Sequence, residues 1–235
     1  MNTAKYKVYP HGDLASPIGG VWIVTGRSAF PLYRRMTVWK LPDGSLLAHS
    51  VIAMDDTRMA ALDALGRVSI ILVPNGGHRL DAGFYKKRYP DARVVAPAAS
   101  RAKVEDLIAV DAVAEDELPK HGVTIHALPG WKQGELGYEL ALPDGGRALV
   151  LCDVLTNANP VPGFGGWMTT NITTAVKGAL GVARIMKLML KDRAAAREGL
   201  ARLADIPDLR LVSTAHGLPV LSDCAGALRA GAASL

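Results

Sequence analysis

Cysteine is nearly absent: Cys152 and Cys224 are the two among 235 residues, and they form no C-x-x-C pair. That excludes a disulfide scaffold, a zinc ribbon and a thioredoxin-like site, and points to a reducing, cytoplasmic compartment. Aromatic residues are scarce at 6%, and the basic runs at Lys86-Lys87-Arg88 and around Lys187 to Arg197 have none interleaved. The net charge of +5 is therefore read as solvated helix faces, and no nucleic-acid partner is expected. The first ten residues hold no apolar core of a secretory signal. The longest weakly polar stretch, 158–182, is interrupted by Pro160, Pro162, Lys177 and Thr169-Thr170-Asn171, so no membrane span is expected. Phosphate-binding loops of the G-x-G-x-x-G or G-x-x-x-x-G-K-[ST] type and the G-x-S-x-G nucleophile elbow are missing, which removes nucleotide cofactors and serine-elbow catalysis from consideration.

What remains is an aliphatic chain, 49% hydrophobic, with enough apolar side chain to build a sizeable core. Alternating runs predict strands at 21–24, 36–41 and 45–49, the last two joined by the turn sequence Pro42-Asp43-Gly44. Asp55-Asp56-Thr57 can cap a helix over 55–65 that stops at Gly66 and feeds a continuous apolar strand at 68–73. A helix at 82–88 and a strand at 93–96 follow, then a polar connector over 105–120. Strands are expected at 123–128, 137–142, 148–152 and 209–213, with a Pro/Gly-rich loop at 158–166, mostly helical sequence over 172–202 and a closing helix from 221. With no linker composition and no repeat, the chain is expected to be a single domain over 1–235, with two sheets covered by helices.

Ligand sites in layered α/β folds gather beyond strand C-termini. Four predicted strand ends carry conspicuous residues. Val73 leads into Pro74-Asn75-Gly76-Gly77-His78-Arg79-Leu80-Asp81, Leu128 into Pro129-Gly130-Trp131, Cys152 into Asp153, and Ala215 into His216-Gly217. Imidazoles and carboxylates converging from such ends suit zinc, iron or manganese. Each residue also has a plain structural use. His78 could cap a helix, Asp153 could tie down Thr156 or Asn157 in an Asx turn, Asp81 suits a helix first turn, and Trp131 could be packing. Cys152, next to Asp153 on a strand, points to the opposite face and is expected to be buried and inert.

The order and flanks of these segments resemble the metallo-β-lactamase fold superfamily. The runs Arg35-Met36-Thr37-Val38, 41–50, Leu65-Gly66-Arg67-Val68, 73–78 and Tyr89-Pro90-Asp91-Ala92-Arg93 look like a degenerate branch of it. The resemblance implies a four-layer αββα sandwich of two mixed β-sheets flanked by helices. In the H-x-H-x-D-H pattern of that superfamily, Gly76 stands at the first histidine, His78 at the second, Leu80 at the aspartate and Asp81 at the last histidine. Trp131 stands at the histidine of the later P-G-H segment, while Asp153 and His216 match the bridging aspartate and the final histidine. The expected site is therefore a reduced one: His78, Asp153 and His216, with Asp81 as a fourth ligand, on one zinc or iron ion. His49, Asn75, Trp131, Phe164 and Trp167 are expected to line the pocket.

The resemblance implies hydrolase-like chemistry on an ester, lactone or thioester. The alternative is a metal-free binding protein on the same scaffold, its pocket dried by Leu80 and Trp131. The aromatic loop around Phe164 to Met168 suits a lid over a partly apolar small molecule, or a contact between copies in a homo-oligomer.

Overall fold

A computed structural model describes residues 6–159, 161–174 and 178–235; the start of the N-terminal stretch, Pro160 and Lys177, which entered the readings of signal and membrane span, lie outside them. The chain divides into two compact units, Met1–Arg27 with Arg35–Gly122, and Ser28–Arg34 with Val123–Leu235.

Unit one is built on a mixed sheet of seven strands in the order of the chain: β1 (Ala15–Ile18), β2 (Val21–Gly26), β3 (Arg34–Lys40), β4 (Leu46–His49), β5 (Val68–Leu72), β6 (Arg93–Ala96) and β7 (Ala112–Val113). The β1–β2 and β3–β4 pairs are antiparallel, and β4 to β7 run parallel. Between the parallel strands lie α1 (Asp56–Leu65), α2 (Ala82–Arg88) and α3 (Arg101–Glu105), with α4 (Ala114–Glu117) after β7. Crossover helices of this kind are what parallel neighbours require. Helix α1 starts where the sequence predicts, the Asp55 carboxylate accepting the Arg58 amide at 2.9 Å, and it buries Met59 and Leu62. These pack with Met36, Val38, Leu46, Ile71 and Tyr85, whose hydroxyl donates to the Ile52 carbonyl at 3.1 Å.

The topology matters for the site because the C-terminal ends of β4 and β5 lie side by side. His49 is paired with Leu72, and the Ser50 amide donates to the Leu72 carbonyl at 3.1 Å. Segments leaving those two strands therefore start as neighbours.

Unit two holds a four-stranded mixed sheet in the order β11-β10-β9-β8, formed by β8 (Thr124–Leu128), β9 (Glu135–Ala141), β10 (Arg147–Leu151) and β11 (Leu209–Thr214). The first three strands form an antiparallel meander, and β10 pairs in parallel with β11. Leu149 and Leu151 alternate toward a core with Leu128, Trp131, Val212, Leu200 and Leu228, the last two from α7 (Arg193–Arg202) and α8 (Cys224–Ala233). Helix α7 is capped by Asp192, whose carboxylate accepts the Ala195 amide at 3.0 Å. Asp192→Ala is expected to lower the stability of unit two by about 1 kcal/mol, read as a reduced urea midpoint at unchanged m-value.

Two expectations are corrected. The connector over 105–120 carries the short strand β7, helix α4 and a 3₁₀ turn, Leu118–His121, elements too brief to leave a periodic pattern. The stretch 172–202 is not one helix. Phe164–Met168 forms α5, Thr169–Thr174 continues it as a π-helix, and Arg184–Lys187 is the four-residue α6 before α7. Gly178, at φ +70°, lies in the left-handed region that ends helices, and Gly181 pairs with Thr156 in an isolated bridge instead.

Candidate metal centre

In unit one the loop after β5 makes a 3₁₀ turn, Gly76–His78, capped by Asn75, whose side-chain oxygen accepts the Gly77 amide at 2.8 Å. Asn75 is thereby fixed as a structural element of this loop, and it is buried. The turn brings His78 back toward the end of β4, where its Nδ1 lies 2.7 Å from Ser50 Oγ, both side chains being buried. Ser50 is held in the left-handed region at φ +55°. A non-glycine residue there costs conformational energy, and such strain tends to collect where a side chain must be aimed. His49 is buried at the end of β4, and Asp81 occupies the N-cap position of α2, its carbonyl accepting the Phe84 and Tyr85 amides. Leu80 is exposed, so the expectation that it dries a pocket does not hold.

In unit two the neighbouring parallel strands β10 and β11 release Asp153 and His216 side by side. His216 Nε2 lies 3.2 Å from Asp153 Oδ1. The other ring nitrogen, Nδ1, lies 2.7 Å from the Tyr33 carbonyl. A carbonyl only accepts, so Nδ1 carries a hydrogen, and in the neutral ring the Nε2 lone pair faces the carboxylate. Two acceptors that close need a proton or a cation between them. The backbone of this corner is locked: the Asn157 amide donates to the His216 carbonyl and the Leu218 amide to the Asn157 carbonyl, each at 3.0 Å. Thr214 Oγ1 also donates to the His216 carbonyl, at 2.9 Å.

The Asx-turn use of Asp153 is not realised, since the Thr156 and Asn157 amides go to the Gly181 and His216 carbonyls. Cys152 is fully buried, and burial followed by the adjacent Asp153 charge pushes its thiol well above the ordinary range, which leaves it without nucleophilic character. Trp131 is 5% exposed within the apolar core of unit two. Phe164 and Trp167 are exposed. The remaining histidines serve local structure: His11 accepts the Asp55 amide, His121 meets Glu117, and His126 Nε2 lies 2.7 Å from a Glu139 oxygen.

Two residues that hold ligand candidates in place escape sequence reasoning. Ser50 follows His49 directly, and its only trace is its position at a predicted strand end. Tyr33 acts through its carbonyl, which any residue possesses, so no signal in the sequence could have found it.

No protein-family model matches the sequence, and no curated protein matches it. Solved structures do. DIM-1 metallo-β-lactamase exposed to ceftazidime is similar with a TM-score of 0.63 at 11% identity, over 97% of this chain and 99% of that one. A metallo-β-lactamase from Erythrobacter litoralis, with β-mercaptoethanol in its active site, gives 0.62 at 13% identity over 94% and 96%. FIM-1 from Pseudomonas aeruginosa in its mono-zinc form gives 0.61 at 14% identity over 99% and 100%. Similarity this extensive at identities this low is a likeness of fold. With its two mixed sheets and their flanking helices, the chain has the metallo-β-lactamase fold, an α/β sandwich.

Proposed function

We propose that the protein is a one-metal hydrolase in which His78, Asp153 and His216 hold a single zinc or iron ion, acting on an ester, lactone or thioester. The observation that carries this reading lies in unit two, where His216 Nε2 stands 3.2 Å from Asp153 Oδ1 while its other ring nitrogen meets the Tyr33 carbonyl. The donor chemistry fits. Metal-binding histidines engage the ring nitrogen that does not bind metal with a carbonyl, carboxylate or similar partner, as His216 does with Tyr33 and His78 with Ser50. Two imidazoles and a carboxylate suit zinc or ferrous iron and leave room for substrate or water. FIM-1 is described in a mono-zinc form, so one zinc is compatible with this fold.

A metal bound there supplies Lewis-acid polarisation of a carbonyl and a lowered pKa for water. The chain's own residues do the rest. Tyr33 and Ser50 fix the imidazole orientations. Asp153, whose side chain is 20% exposed, supplies the carboxylate that can serve as the acid–base group beside His216. Hydrolysis of an ester, lactone and thioester panel with added Zn²⁺, Mn²⁺ or Fe²⁺ tests the reading. Turnover that a chelator abolishes is expected. No turnover with any of the three metals would favour the metal-free binding protein, a reading supported by Trp131 standing where the related pattern has a ligand histidine.

The Ser50 contact yields a separate expectation. Ser50→Ala should keep the fold and weaken zinc binding by about 10–100-fold, the usual effect of losing a partner that orients a ligand. Competition against a chromogenic zinc chelator measures it, and an affinity equal to wild type would remove Ser50 from the site.

A further inference from the structure

Unit two carries an apolar and cationic surface that the proposed chemistry does not use. Between Asp153 and Asp192 the sequence has no acidic residue and four basic ones, Lys177, Arg184, Lys187 and Lys191. The same stretch exposes large apolar side chains: Phe164 is 76% exposed, Trp167 56% and Leu188 72%, with Ile172 and Ile185 also exposed. Phe164 and Trp167 stack with ring centroids 6.2 Å apart, so they form one exposed aromatic step at the start of α5. A second segment joins them. Pro31 lies against α5, 3.6 Å from where a Cβ on Gly165 would sit, and next to it Phe30 is 73% exposed. The protein has three phenylalanines, and two of them stand in water here. Arg184 ties α6 to the π-helix through the Asn171 carbonyl at 3.2 Å, which places exposed Ile185 and a guanidinium beside the aromatic step.

A domain whose other described aromatic residues are all buried or half-buried does not leave such a cluster in water without an occupant. A second copy related by a two-fold axis would set the acid-free stretch 154–191 against itself, cation against cation. Nucleic acid would satisfy the charges and leave the aliphatic side chains unburied. A lipid surface takes both, because aromatic and aliphatic groups enter the boundary between headgroups and acyl chains while arginine and lysine meet lipid phosphates. No helix among the described residues is long and apolar enough to cross a membrane, so such contact is peripheral.

We propose that this face docks on an anionic lipid bilayer, with Phe30, Phe164 and Trp167 inserted at the interface and Arg184 and Lys191 on the phosphates. The proposal does not depend on a bound metal. The test is sedimentation of the full chain with phosphatidylcholine vesicles, with and without phosphatidylglycerol, in the presence of chelator. Binding to the anionic vesicles alone is expected, with a blue shift of tryptophan emission. Phe164→Ser/Trp167→Ser should weaken partitioning by about tenfold or more. Arg184→Glu/Lys191→Glu should do the same by roughly 10–100-fold. Both variants change exposed side chains and are expected to melt as wild type; Lys191→Glu alone keeps the charge arm interpretable should the loss of the Arg184–Asn171 bond unsettle α6. Absence of binding to anionic vesicles, equal binding to neutral ones, or binding that both double variants leave unchanged would overturn the proposal. So would a wild-type dimer that Trp167→Ser converts to monomer, which would assign the face to a second copy.

Discussion

His216→Ala is expected to strip the protein of its metal while leaving the chain folded. Wild-type protein purified without chelator should carry close to one equivalent of zinc or iron, and the variant close to none, by elemental analysis. The size of the effect follows from what one ligand contributes. A four-ligand structural zinc site is worth about 10–16 kcal/mol, roughly 2.5–4 per ligand, so losing one of three weakens binding by about 10²–10³-fold. His216 is the most exacting of the three to lose, because its Nδ1 is already committed to the Tyr33 carbonyl and its Nε2 already faces Asp153 at 3.2 Å. Among the described residues, His11, His121 and His126 are engaged with partners of their own. His78→Ala should give the same loss. Equal and substoichiometric metal in wild type and variants would end the one-metal reading.

The second large effect concerns the residue after this histidine. Gly217 has φ +114°, and a Cβ built on it would stand 1.7 Å from the Asn157 carbonyl oxygen and 2.1 Å from its carbon. Those are backbone atoms, so no side chain can swing aside. Gly217→Ala must push the Asn157 strand away and break the Asn157–His216 and Leu218–Asn157 hydrogen bonds. Steric displacement, left-handed strain and two lost backbone hydrogen bonds together cost about 3–5 kcal/mol. A control separates the causes. Gly145 also has positive φ, at +91°, but an added Cβ meets nothing within 4 Å, so Gly145→Ala should cost only about 1 kcal/mol of backbone strain. Urea midpoints decide it, and similar midpoints for the two variants would refute the close-approach account. Gly217→Ala should also lower metal affinity, because the displaced corner carries the His216 ring.

How far the sequence could be read follows from what kind of signal each feature leaves. Strands β3, β4, β5, β9 and β10 were legible because their apolar content and, for β3 and β4, the turn at Pro42-Asp43-Gly44 are dense local signals. The cap of α1 was legible for the same reason. Strand β1 and the pair β7–α4 were not, being two to four residues long with mixed burial. The 172–202 stretch misleads because its composition favours helix while Gly178 and Gly181 interrupt it. At the site, His78, Asp153 and His216 stand out as chemically distinctive residues at strand ends, and the fold's resemblance orders them. Their supports do not stand out: Ser50 works through a strained backbone and Tyr33 through a carbonyl, and both depend on tertiary geometry alone.

The excursion of Ser28–Arg34 into unit two has a consequence for the order in which the site is completed. The His216–Tyr33 bond joins positions 183 residues apart, and closing a loop of that length costs about 4–5 kcal/mol beyond the constant of closure. That contact can form only after the intervening chain has largely condensed, so the aiming of His216 belongs to the end of folding rather than its nucleus. The same connection makes 28–34 a point of vulnerability. A single proteolytic nick there would remove none of the three candidate ligands, yet it would release the carbonyl that orients one of them.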